Sequence, residues 1–91
     1  MRNTLREQIK NELQIIKNKG QGYKELEDKY FQVYYELTLY DYLRYKLLLV
    51  SDIKDNILKI FFKVTDKELF KLREETLDII EDYFLLNQQC A

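Results

Sequence analysis

The sequence predicts an all-α fold: a small bundle of four to five helices, one domain over residues 1–91, expected to dimerise. Three observations predict it. Apolar residues recur at steps of three and four along most of the chain, two Thr-x-x-Glu boxes mark helix starts, and the only two glycines share one turn while proline is absent.

The first helix starts at a capping box, Thr4-Leu5-Arg6-Glu7. In this motif the Thr4 hydroxyl accepts from the Glu7 backbone N–H and the Glu7 carboxylate reaches back to Thr4. Leu5, Ile9, Leu13 and Ile16 then fall on one face at 100° per residue. Lys17 and Lys19 complement the helix dipole in the last turn, and Gly20 is expected to take the left-handed residue that ends the helix near Lys19.

Gly20-Gln21-Gly22 is the one strongly marked turn. Beyond it, Glu25, Glu27 and Asp28 favour a second helix N-terminus. Leu26, Tyr30, Val33, Leu37, Tyr40 and Leu47 form one stripe, interrupted by Arg44, and Phe31, Tyr35, Thr38, Tyr42, Tyr45 and Leu49 form a second beside it. Two stripes predict either one helix covered on more than one side or two helices meeting near Thr38. Ser51 and Asp52 offer the next N-cap. The helix they introduce sets Ile53, Ile57, Ile60, Phe61 and Val64 against the polar Asp52, Asp55, Asn56, Lys59 and Lys63. Thr65-Asp66-Lys67-Glu68 is the second capping box, and its helix turns Leu69, Leu72, Leu77, Ile80, Tyr83 and Phe84 inward before a frayed tail at 87–91.

A rival reading pleats the middle. Phe31 to Tyr40 and Ile57 to Val64 also alternate with period two, which gives an α-β-β-β-α order with a hairpin loop at 51–56. Tyr40-Asp41 lacks the glycine of a tight hairpin, and Leu, Lys, Glu and Arg dominate these segments, so the helical reading is preferred.

Composition narrows function by exclusion. The 91 residues are 46% apolar and 34% charged with net charge −1, a globular balance. A domain of this size buries only about 60–65% of its unfolded surface, and its aromatic stripes exceed what a lone copy easily covers, hence the expected dimer. Six of the eight tyrosines lie between Tyr30 and Tyr45, half apolar and half polar side chains suited to a core rim or a contact surface. No segment has the ~20 apolar residues of a bilayer span and no signal-peptide core follows Met1, so a soluble, cytoplasmic protein is expected. The lone Cys90 closes no internal disulfide. Without histidine there is no Ser-His-Asp or Cys-His system and no zinc-finger ligand set, and no phosphate-cradling glycine loop exists. No cofactor and no metal site is expected.

Charge is polarised along the chain. Residues 1–22 carry five bases and two acids, whereas residues 74–91 carry five acids and no base. The first and last helices are therefore expected either to pair with each other or to face partners. Glu74, Asp78 and Glu81 share one helix face with Asp82 beside them. Together with Tyr34 and Tyr42 they are the expected contacts of a non-enzymatic protein–protein interaction module, acting as adapter, inhibitor or regulator on another protein. Small proteins of this composition are common among phage and mobile-element products. Arg2, Arg6, Lys10 and Lys17 fall in an acid-free arc of roughly 80° and mark an alternative, a nucleic-acid-binding regulator; the acidic pI of 5.5 weighs against it. A carboxylate-only or metal-dependent enzyme is the third reading.

Overall fold

Start and stop signals decide where this backbone coils, because its apolar spacing alone fits more than one register. The computed structural model describes the backbone of residues 2–35 and 37–90 and the side chains of residues 4–33, 35 and 37–86. The chain forms α1 (Arg2–Asn18), α2 (Tyr23–Tyr35), α3 (Leu39–Tyr45), a π-helical turn (Lys46–Val50), α4 (Asp55–Phe62) and α5 (Asp66–Cys90). The all-α fold is the one adopted. No strand occurs among the described residues, so the α-β-β-β-α order is not.

The second capping box closes as the sequence predicts. The Glu68 N–H donates to Thr65 Oγ1 at 3.3 Å, and the Thr65 N–H donates to Glu68 Oε1 at 2.9 Å. That pair holds the Glu68 carboxyl below its ordinary pKa of 4.5, chiefly through the bond from the Thr65 backbone. The first box is not at the helix start. α1 already coils at Arg2, and an N-cap needs extended backbone that a helical Thr4 does not have.

The exit of α1 also differs from the glycine rule. The Gly20 N–H donates to the Ile15 carbonyl at 2.9 Å and the Lys19 N–H to the Ile16 carbonyl at 3.2 Å, the Schellman pairing. This pairing puts Lys19 in the left-handed region (φ 52°) and Gly20 one position beyond it. A Cβ on Gly20 would lie 3.4 Å from Ile15 Cγ2, so glycine there serves close packing. α4 ends in the same way: Val64 N–H donates to the Lys59 carbonyl at 3.0 Å and Lys63 takes φ 58°.

Two helices do meet near Thr38. Thr38 is extended (ψ 162°) and its Oγ1 accepts from the Asp41 N–H at 3.1 Å, which restarts the helix as α3. The restart rotates the buried face. Tyr30 and Val33 are buried before the break, and Tyr45 and Leu48 after it, while Tyr35 and Tyr40 point to solvent. The N-cap expected at Ser51–Asp52 lies instead at Lys54. The Ser51 hydroxyl donates to the Leu47 carbonyl at 2.7 Å and accepts from the Ile53 N–H at 3.3 Å, so it terminates the π turn and leaves α4 to start four residues later.

The main core joins Ile9, Leu13 and Ile16 of α1 to Tyr30 and Val33 of α2, Tyr45, and Leu77 and Ile80 of α5. A smaller cluster of Leu48, Leu58 and Leu69 seats α4 against the π turn and the start of α5, with Leu49 packed against both clusters. α4 is thus held by one buried residue, Leu58, with Phe62 partly buried beside it. Ile57, Ile60 and Phe61 of the apolar set that the spacing marks out in α4 are exposed.

Two substitutions probe the helix ends. Thr65→Ala removes a two-way cap and is expected to lower stability by about 1 kcal/mol in urea unfolding. Lys19→Gly relieves a left-handed lysine, and a rise of about 0.5–1 kcal/mol is expected in the same assay.

Candidate interaction surfaces

The polar site grows from the spacing of three carboxylates. Positions 74, 78 and 81 share one face of α5, and α1 lays Arg6 across them. Arg6 Nε donates to Glu81 Oε2 at 2.7 Å, its Nη2 bonds Asp78 Oδ1, and its Nη1 approaches the Glu74 carbonyl at 3.5 Å and Glu74 Oε2 at 3.7 Å. Glu81 is 1% exposed, whereas the Arg6 guanidinium that meets it is only partly buried. Burial opposes the charge on Arg6, yet the bonds and charges of Glu81 and Asp78 outweigh it and hold the guanidinium pKa above its ordinary value. Glu7, Lys10 and Asp82 complete a groove of about 810 Å³ over this clasp.

The structure therefore brings two sequence-predicted sets together. Glu74, Asp78, Glu81 and Asp82, read as partner contacts, share one groove with Arg6 and Lys10, read as nucleic-acid contacts. Arg6 is committed to α5 carboxylates. Lys17 is exposed and close enough to Asp55 to help hold that carboxyl's pKa down. Tyr42 stands elsewhere, partly buried beside Phe31 and Tyr45 with the Lys46 ammonium 5.9 Å from its ring centre. The side chains of Arg2 and Tyr34 lie outside the described residues. Among the described residues, no three acids or cysteines are placed to hold a metal ion.

Two tyrosines of the cluster are core residues. Tyr30 donates to Glu12 Oε1 at 2.7 Å, with Lys29 on the same carboxylate at 2.9 Å, and meets Phe84 edge to face. Burial drives the Tyr30 hydroxyl far above its ordinary pKa of 10.0, with the Glu12 bond adding to it. The same cause raises Tyr45. Both hydroxyls stay protonated across the physiological range.

The second surface is apolar and lies between α3 and α4. Leu39, Tyr40 and Leu43 face Phe61 and Phe62 across a groove of about 450 Å³, with Arg44 in its wall. Arg44 ties α3 to α5 through Glu75 Oε2 at 3.1 Å and sits 5.4 Å from the Tyr40 ring centre. Its Nε is buried without a hydrogen-bond partner, an unsatisfied donor behind an apolar wall. Phe61 is 64% exposed and Leu39 74%. Sequence reasoning noticed Ile57, Ile60 and Phe61 as one face but had no means to tell that the face points outward. Leu39 enters only the period-two alternation and Leu43 enters no stripe, because the stripe that organises α2 changes phase at Thr38.

Comparison with protein-family models, with curated proteins and with solved structures returned no match for this chain.

Arg6→Met removes the bonds that its guanidinium makes to the buried Glu81 carboxylate and to Asp78, and a loss of stability of about 1–3 kcal/mol is expected in urea unfolding; Arg6→Met with Glu81→Leu is expected to lose less. The pair of Asp55 with Arg73 (2.6 Å) predicts an acid dependence. The Arg73 bond lowers the Asp55 pKa from 3.8, so its contribution is complete above that value and is lost as pH falls through the lower folded value. Because the pair is exposed, Asp55→Asn is expected to reduce stability by less than about 1 kcal/mol at pH 7 and by nothing measurable in strong acid, as read from melts across the pH range.

Proposed function

We propose that the chain is a non-enzymatic protein-interaction module, and that its contact surface is the outward face of α3 and α4. One observation carries this reading: Leu39, Tyr40 and Leu43 of α3 and Phe61 of α4 line one groove with much of their apolar surface in water, and Ile57 and Ile60 of α4 are exposed as well. Scattered exposed apolar residues are ordinary on a protein surface, but a contiguous apolar patch with a charged rim is the usual mark of a protein contact. The chemistry of the chain supports the same reading. It has no histidine, and the carboxylates of α5 that an acid–base reaction would need are engaged by Arg6. An adapter, an inhibitor or a regulator would each use such a face.

The acidic face is a poor place to test this. Reversing Glu74, Asp78 and Glu81 would dismantle the clasp between α1 and α5 and confuse lost binding with lost folding. Ile57→Lys with Ile60→Lys alters exposed side chains only. The immobilised parent chain is expected to retain a protein from extract of its native host, and the double variant to lose it with an unchanged helical dichroism spectrum. Equal retention by parent and variant would remove the α3/α4 face from the reading.

A further inference from the structure

We propose that residues 52–64, with α4 at their centre, form a strap that opens as one unit and uncovers Leu48, Leu58 and Leu69 while the core of α1, α2 and α5 stays folded. The strap is lightly held. From Asp52 to Val64, Leu58 alone is buried, Lys59, Phe62 and Val64 are half-buried, and every other residue is exposed. Leu58 packs with Leu48 of the π turn and Leu69 of α5. Two ion pairs add to that contact, Asp55 with Arg73 at 2.6 Å and Lys59 with Asp66 at 2.8 Å. Each uses an exposed carboxylate, so each contributes little. The main core, by contrast, buries side chains from α1, α2 and α5 together.

The elements on either side are finished without α4. The Ser51 hydroxyl closes the π turn on the Leu47 carbonyl at 2.7 Å, and Arg73 Nε donates to the Leu48 carbonyl at 3.0 Å, which binds that turn to α5 directly. Thr65 and Glu68 cap the start of α5 between themselves. Neither neighbour therefore has to unravel when α4 leaves. The chain can also turn at both ends of the strap. Residues 52–54 belong to no helix, with Lys54 extended at ψ 152°, and Lys63 takes φ 58° where the Val64 N–H donates to the Lys59 carbonyl. Opening breaks that bond and frees the lysine from a left-handed conformation that its Cβ disfavours. The eight residues of α4 are too few for a helix to persist alone in water, so the undocked segment melts and its amides exchange.

Native-state hydrogen exchange of the full chain, read amide by amide by NMR, tests this. The amides of Leu58 to Phe62 are expected to share one protection factor, at least about 100-fold below that of Ile9 to Leu13 and of Leu77 to Ile80. Ile9→Val trims the main core alone. Core protection is then expected to fall about 2–10-fold with α4 protection unchanged, because the open state keeps residue 9 packed. Leu58→Ala is expected to cut α4 protection about 30-fold or to abolish it. Core protection in that variant falls by no more than the factor that protected α4 in the parent, since the core loses only what the docked strap contributed. Equal protection of α4 and the core, or α4 protection that falls in step with the core in Ile9→Val, would make the chain one cooperative unit and overturn the proposal. Unfolding of the whole chain by Leu58→Ala would overturn it as well, and so would parent α4 amides that exchange at the rate of an unfolded chain, which would mean that the strap never docks.

Discussion

The placement of α5 depends on Arg6. A guanidinium near the start of the chain is held by Glu81 and Asp78 near its end, 75 and 72 positions away, with the Glu81 carboxylate removed from water. Such a pair tolerates little misalignment, because a shift of one residue along α5 would carry the buried Glu81 carboxylate away from Arg6 Nε. The clasp therefore sets which turn of α5 faces α1, and the apolar contacts of Ile9, Leu13, Leu77 and Ile80 complete the helix pair. Apolar packing alone is more permissive than this, since neighbouring turns of α5 are also rich in leucine and isoleucine.

The molecule divides its apolar residues unevenly. α1, α2 and α5 bury Ile9, Leu13, Ile16, Tyr30, Val33, Leu77 and Ile80 in the main core while Phe31, Tyr35, Phe70 and Leu86 stay exposed, whereas α4 commits Leu58 and part of Phe62 to a smaller cluster and leaves Ile57, Ile60 and Phe61 in water. α4 thus keeps more of its large apolar side chains in water than in the core. Arg44 beneath the groove adds to this, because its buried Nε lacks the acceptor that a finished interior would supply.

Much of the architecture was legible in the sequence where local signals were complete. The Thr65 box, the inward set of α5, the face of α1 and the meeting of two helices near Thr38 follow from spacing and capping chemistry, and the structure has them. Signals that depend on neighbours were not legible. Gly20 looked like the left-handed residue, yet the Schellman pairing places Lys19 there and uses glycine for contact with Ile15. Ser51 looked like a cap, but its hydroxyl closes the π turn. The polarity of charge between the ends suggested that α1 and α5 pair, while the choice of Arg6, and not Lys10 or Lys17, is a matter of three-dimensional register. The apolar groove stayed hidden for a related reason: periodicity reports that a face exists and is silent about what lies opposite.

Because the two halves of the clasp lie 75 positions apart, a nascent chain carries Arg6 through the synthesis of everything between them before Glu81 leaves the ribosome. Until then α1 has a greasy face and no α5 to lay it on. Any native-like docking of the earlier helices is provisional, and commitment to the fold waits for α5.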